Sequence, residues 1–283
     1  MEKNMAAKNI KSKVIKEAKR LGAELVGFAP VSRWDEFNEV PEPYRPKSVW
    51  AEAQTVIVLG VPILLPIIES TPSINYQELY NTTNQLLDRT AYQLSVFLNN
   101  QGFASIFLPR DGYGNLEILW RKPIAGFGHV YAGKYAGLGT IGLNNMLLTP
   151  EFGPRVRLVS VFTEAKIEGT PVIKKELCPK CGLCARLCPV DAFKPDKDRV
   201  IAQMNKNRCT KRHQDLRKQS CWPCGICAKV CPIGKDRVLY KRSNVRYLRE
   251  GKLPAGVPES NHRPAPYGEW EHLREHGSEE VKR

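Results

Sequence analysis

Apolar residues recur at helical spacing from Ile10 to Leu21, at Ile10, Val14, Ile15, Ala18 and Leu21, so the chain is expected to open on an amphipathic helix that Gly22 stops. Leu25-Val26-Gly27-Phe28 reads as a short strand, and the Pro- and charge-rich stretch from Val31 to Trp50 as a loop. Thr55 to Val61 is a continuous apolar run closed by Pro62, the pattern of a buried strand. A long helix is expected from Asn75 to Asn100, with Leu79, Leu86, Leu87, Ala91, Leu94, Val96 and Leu98 on its apolar side and Gly102 at its end. Ala104 to Leu108 and Val156 to Phe162 read as further strands, the second flanked and interrupted by Arg155 and Arg157. The pattern predicts a mixed α/β (α+β) unit over residues 1–170.

The periodicity then stops. Residues 174–236 carry all nine cysteines and little continuous apolar sequence. A small second domain, residues 171–240, is expected there, ordered by metal rather than by an apolar core. Past Asn244 the chain is rich in Pro, Arg and Glu, so residues 241–283 read as a basic and then charged tail that wraps or is partly disordered.

Composition sharpens this reading. Hydrophobic residues make up 42% and charged residues 25%, which is globular composition. The longest apolar run, Thr55 to Ile68, is broken by Gly60, Pro62 and Pro66, too short and interrupted to span a membrane. The basic N-terminus lacks the apolar core of an export signal, so a cytoplasmic location is expected. Disulfides are disfavoured there, and the cysteines need another role. The net charge is +14 and uneven: from Lys206 to Lys252 fourteen Lys and Arg stand against Asp215, Asp236 and Glu250. Such an excess suits an anionic partner, RNA or an acidic electron donor, and equally the neutralisation of anionic metal centres.

The cysteines form two copies of one motif. The first is CPKCGLCARLCP, with Cys178, Cys181, Cys184 and Cys188; the second is CWPCGICAKVCP, with Cys221, Cys224, Cys227 and Cys231. Both match C-x2-C-x2-C-x3-C-P, the run that holds 4Fe–4S clusters in bacterial ferredoxins, where the fourth cysteine ligates the other cluster. Crossing in this way gives one cluster Cys178, Cys181, Cys184 and Cys231. It gives the other Cys188, Cys224, Cys227 and a fourth ligand, either Cys221 by ferredoxin spacing or the isolated Cys209. Two zinc sites are the alternative for eight thiolates, but zinc ribbons use separate C-x2-C pairs rather than tripled runs closed by C-P. Two clusters side by side make an electron relay.

Gly137, Gly139 and Gly142 spell G-x-G-x-x-G inside KYAGLGTIGLNN. A dinucleotide turn needs a strand before the glycines and a helix after them. HVYAGKYA is no buried strand, and Pro150 and Pro154 leave no room for a crossover helix. The glycines therefore either let backbone approach a flat cofactor closely or shape a tight buried turn.

Ala136-Gly137-Leu138-Gly139-Thr140-Ile141-Gly142, then Leu147-Leu148-Thr149-Pro150-Glu151-Phe152-Gly153, a basic strand and both cysteine motifs, resemble in that order the epoxyqueuosine reductase and reductive dehalogenase superfamily over residues 10–240. The resemblance implies a nitroreductase-like, cobalamin-binding type of domain followed by a bacterial ferredoxin-like domain with two 4Fe–4S clusters. It implies an oxidoreductase in which the clusters reduce a cobalamin near Gly137, Leu138, Gly139, Thr140 and Gly142, which in turn reduces a small electrophile. It also implies Cys209, in NRCTKRHQ, as the last ligand of the second cluster.

The proton donor departs from the epoxyqueuosine reductase pattern. Where that family carries an Asp upstream of the glycines, this chain has Lys122-Pro123. Tyr131, Tyr135 and His129 lie on one short expected helix, with Tyr113 and Glu117 before it. Reductive dehalogenases look to use a Tyr assisted by a cation, and Tyr135 beside Lys134 is such a pair. Expected partners are a low-potential donor such as ferredoxin or flavodoxin, a small-molecule substrate, and tRNA if the epoxyqueuosine likeness extends that far. An electron-transfer protein with no substrate of its own, or a flavin enzyme, are the alternatives.

Overall fold

The computed structural model describes residues 2–240, with side chains described from Ile10 onward. The expected tail, residues 241–283, lies outside the described residues. The first part of the chain runs α1 (Glu2–Arg20), β1 (Leu25–Pro30), α2 (Arg33–Phe37), α3 (Pro46–Val49), β2 (Thr55–Pro62), α4 (Leu65–Ile68) and α5 (Ile74–Asn100). It continues through β3 (Ser105–Leu108), α6 (Leu116–Arg121), α7 (His129–Tyr135), the short pair β4 (Thr140–Ile141) and β5 (Leu147–Leu148), and β6 (Val156–Thr163).

Strands β1, β2, β6 and β3 lie in that order in one sheet, every neighbouring pair antiparallel. Both faces of the sheet are covered, which is why β2 reads as an unbroken apolar run. Ile57, Leu59 and Val61 meet Val14 and Ala18 of α1 and Leu87, Ala91, Leu94 and Leu98 of α5 on one face. Val56 and Val58 meet Trp34, Ala132 and Tyr135 on the other. The period-two alternation of a strand sorts these residues between the two layers. Each Val, Leu or Ile among them, fully buried, contributes about 1.5–3 kcal/mol.

One expectation is corrected. Val31–Trp50 is not a plain loop: α2 and α3 lie within it, and Trp34 is 1% exposed in the second core layer. The pattern hid them because each helix spans barely one turn and neither shows a period.

The cysteine-rich part runs α8 (Leu183–Arg186), β7 (Phe193–Lys194), β8 (Gln203–Met204), α9 (Lys206–Lys218), α10 (Ile226–Lys229) and α11 (Lys235–Leu239). Its apolar core is small, with Leu143 packed among Cys184, Ala202 and Val230. Two buried guanidinium groups join it to the α/β part, Arg155 from the segment just before β6 and Arg237, on α11 itself, through Glu69 at 3.6 Å. Arg155 donates from Nε and Nη2 to the two carboxylate oxygens of Asp236 at 2.6 and 2.7 Å, and from Nη1 to the carbonyl of Cys231 at 3.1 Å. Arg237 donates to the same Cys231 carbonyl at 2.7 Å. Among the described residues no helix is long and apolar enough to cross a membrane.

Candidate metal centres and cleft

The tight turns of CPKCGLC and CWPCGIC bring the cysteines into two groups. Cys178, Cys181, Cys184 and Cys231 line one pocket, together with Leu143, Asn144 and Leu148 from the segment that carries β4 and β5. Burial, and then the thiols of Cys231, Cys181 and Cys178, push the Cys184 thiol up to about 12. Around Cys227, burial comes first and then Cys224, Cys209, Cys184 and Cys188, pushing its thiol well up. The Cys209 thiol is pushed up to about 12 by burial and then by Cys224 and Cys188. Crowded, desolvated thiols of this kind are stabilised as thiolates only by bound cations. Among the described residues no three Cys, His, Asp or Glu side chains are placed to hold a single metal ion.

Cys221 stands outside both groups. Its thiol donates to the carbonyl of Gln219 at 3.3 Å, and it is not among the thiols crowding Cys227 or Cys209.

The three glycines of the G-x-G-x-x-G run meet the protein's own chain. The carbonyl of Pro171 occupies the place of a Gly137 side chain, and Gly137 has φ 73°. The carbonyl of Leu148 occupies that of Gly139, and the Leu148 side chain that of Gly142. Thr140 accepts at its hydroxyl from the Leu177 amide at 3.0 Å, and Leu138 is 8% exposed within the second core layer. Gly153, in LLTPEFG, likewise leaves room for the carbonyl of Ile233, two residues past Cys231. These contacts are those of a tight buried turn.

Tyr131, Tyr135 and His129 lie on one short helix, α7, as expected, but Tyr135 and Lys134 do not pair with each other. Tyr135 is wholly buried, stacked on Phe37 with ring centroids 4.8 Å apart, and its hydroxyl donates to Glu39 at 3.1 Å. Lys134 does not meet the phenol; its ammonium grips the two Glu39 oxygens at 2.7 and 2.8 Å. The cation is thus spent on a carboxylate, and burial followed by Glu39 raises the Tyr135 pKa instead of lowering it. Glu39 sits in the stretch read as a loop, so sequence order gave no sign of it. His129 is fixed between the hydroxyl of Ser160 and the carbonyl of Pro109, each 2.9 Å away, and burial lowers it to about 4. Tyr131 packs at 6.3 Å from the Tyr135 ring.

A polar cleft of about 420 Å³ lies elsewhere, between α5, the segment 110–116 and the cysteine-rich part. Asn84, Arg110, Asp111, Tyr113 and Asn115 line it, and Arg217 and Trp222 close it from the cluster side. None of Tyr131, Tyr135 and His129 is among its lining residues. Arg157 stands behind the wall, donating to Asn84 and to Asp111 at 2.9 Å each, with its guanidinium 4.4 Å from the Tyr80 ring centroid. Burial, with Tyr80 and Asp111 next, keeps the Tyr113 phenol protonated far above neutral pH. Trp222 packs edge-on against Tyr80 at 4.8 Å, and among the described residues its buried indole N–H has no acceptor. Since Trp222 follows Cys221 and precedes Cys224 by two residues, the cleft abuts the second thiol group.

With this geometry the comparisons with known proteins agree. Residues 171–194 match the 4Fe-4S binding domain family. The chain is similar to a tetrachloroethene reductive dehalogenase of Desulfitobacterium hafniense, 26% identical over 234 residues that make up 68% of this chain and 40% of that protein. Its fold is that of a reductive dehalogenase whose structure is described as suggesting a mechanism for B12-dependent dehalogenation, with a TM-score of 0.59, 19% identity, and 81% and 33% of the two chains covered. It is also that of epoxyqueuosine reductase, with a TM-score of 0.55, 18% identity, and 92% and 71% covered. The chain thus shares the architecture of the reductive dehalogenase and epoxyqueuosine reductase superfamily, and carries homology to the dehalogenases in sequence. It spans about 40% of the length of the curated dehalogenases it matches.

Proposed function

We propose that this protein is an iron–sulfur reductase in which two 4Fe–4S clusters pass single electrons to the cleft beside Trp222, where a small electrophilic substrate is reduced. One cluster is held by Cys178, Cys181, Cys184 and Cys231, the other by Cys188, Cys209, Cys224 and Cys227. The observation that carries this reading is the sorting of eight thiols into two crowded sets, the second against the cleft. The 4Fe-4S family match and the reductase relatives support it.

The group between the clusters and the substrate is proposed to be a cobalamin, as in the B12-dependent relative. Amide side chains of the cleft, Gln77, Asn81, Asn84 and Asn115, can hydrogen-bond the amide-bearing rim of a corrinoid, while a cleft of about 420 Å³ takes in only part of so large a group. When bound, a cobalamin supplies a low-potential, strongly nucleophilic metal. The chain's own residues do the rest. Arg217 favours negative charge in the cleft, Arg110 is paired with Asp88 and Asp111 at its wall, and Arg157 holds Asp111 in place beneath it. Tyr113 keeps its proton until it meets a strong base, so it suits protonation of a substrate carbanion and little else. The electrons come from a low-potential donor of the ferredoxin or flavodoxin kind.

The test is anaerobic reconstitution with iron, sulfide and cobalamin, followed by iron counting and EPR. About eight irons per chain and a base-off cob(II)alamin signal support the reading. The same iron with no cobalamin bound would turn the protein into an electron carrier for a partner, or into a flavin enzyme if flavin is extracted. Only about four irons would sink the relay.

A further inference from the structure

Helix α9 has six basic residues and one acid, KNRCTKRHQDLRK, and reads as a solvated surface helix on which His213 has no assigned role. The structure turns one side of it inward. Cys209, Arg212 and His213 fall at i, i+3 and i+4, a single face one turn long. His213 places Nε2 4.0 Å from the Cys209 sulfur. The Arg212 side chain hydrogen-bonds the thiol of Cys224. The other side of the His213 ring meets Trp222, 6.4 Å between centroids at 84°. The helix is pinned in this rotation: Gln214 donates to the Leu116 carbonyl at 3.3 Å, Lys206 to that of Pro123 at 3.1 Å, and Leu216 is buried. At this distance the imidazole Nε2 is placed to serve the sulfur as a hydrogen-bond donor.

We propose that Arg212 and His213 are positioning residues for the second cluster. They donate hydrogen bonds to the thiolates of Cys224 and Cys209 and so raise that cluster's reduction potential selectively. Donors at ligand sulfurs stabilise the reduced, more negative cluster, which is the direction of the shift. The inference rests on the cluster assignment above, and it places the tuning groups between the second cluster and Trp222 at the cleft wall.

The experiment is an EPR-monitored redox titration of the full chain, reconstituted anaerobically, as wild type, His213→Leu, His213→Gln and Arg212→Leu. Iron counting of the wild type comes first and judges the cluster assignment by itself. With two clusters present, His213→Leu should lower the midpoint of one cluster by about tenfold in its reduction equilibrium, ~59 mV for one electron, and leave the other where it was. Arg212→Leu should move the same cluster in the same direction. His213→Gln, which restores a donor, should recover most of the shift at unchanged iron content. Midpoints unaltered in both leucine variants would overturn the proposal, as would equal shifts in both clusters. So would loss of iron in His213→Gln, which would make the imidazole a ligand or a structural prop instead.

Discussion

The carbonyl oxygen of Leu148 stands where a side chain on Gly139 would begin. Gly139 lies just before β4, and Leu148 closes β5, its antiparallel partner, where it pairs with Thr140. Leu148 also lines the pocket of Cys178, Cys181, Cys184 and Cys231. The glycines of a motif spelled like a nucleotide-binding turn thus leave room for the hairpin's own chain, and the far strand walls the pocket of these four cysteines.

Replacing Gly139 by Ala should show this. The added methyl meets backbone, which cannot swing aside as a flexible side chain would, so the variant should lose about 3 kcal/mol of stability, the upper end for overpacking. Urea denaturation measures it. Iron bound by the first set of cysteines should fall with it, because Leu143, Asn144 and Leu148 move together. An unchanged urea midpoint would mean that the turn has slack.

Cys209 and Cys221 separate cleanly by substitution. Cys209 is crowded by Cys224 and Cys188, whereas Cys221 turns its thiol to the Gln219 carbonyl. Cys209→Ser should lose one cluster and hold about four irons, while Cys221→Ser should keep about eight. The reverse result would restore the ferredoxin spacing rule and remove α9 from the second cluster.

Asp236 makes the two-point ion pair with Arg155, whose side chain is 0% exposed. Asp236→Asn leaves a buried guanidinium without its counter-charge, a change that costs about 3–5 kcal/mol. Because Arg155 also holds the carbonyls of Cys231 and Ile233, the loss should appear as detachment of the cysteine-rich part from the sheet. Limited proteolysis should then cut between residues 163 and 183 faster than in the wild type. Equal protection in both proteins would show that the other bonds between the parts, among them Thr71 to the Cys224 carbonyl and Asn145 to that of Ala202, hold them without the ion pair.

The tripled cysteine groups were legible because C-x2-C-x2-C turns the chain tightly enough to bring its thiols together, whereas the place of Cys209 beside Cys224 and Cys188, and of Cys221 outside them, depends on how α9 packs. The central strand β2 and the long helix α5 were legible because each carries its own period. What stayed hidden was set by distant partners. Nothing near Gly139 announces Leu148, and nothing near Tyr135 announces Glu39, 96 positions away. His213 looked solvated because its neighbours are charged, and only the rotation of α9 turns it toward Cys209. The cleft was invisible because its walls come from α5, the segment before α6 and the second cysteine motif at once.

His129 gives a pH test that needs no cofactor. Its ring is held between Ser160 and Pro109, and burial lowers its pKa from 6.5 to about 4. Above pH 6.5 the ring is neutral in both folded and unfolded chains, and its contribution to stability is complete. As pH falls from 6.5 toward 4 the unfolded chain takes up a proton that the folded one refuses, so stability declines through that window, by up to about 3 kcal/mol. Below 4 both forms are charged and the loss levels off. Other groups titrate in the same range, so the comparison is with His129→Gln, which spans the same two partners with an amide and carries no proton equilibrium. Urea unfolding measured from pH 4 to 7 should give a shallower slope for the variant, the two curves converging in shape above 6.5. Parallel curves throughout would mean that the folded imidazole takes up its proton as readily as the unfolded one, which would require the Pro109 carbonyl and Asp111, which favour the charged ring, to balance burial and the Arg157 charge, which oppose it.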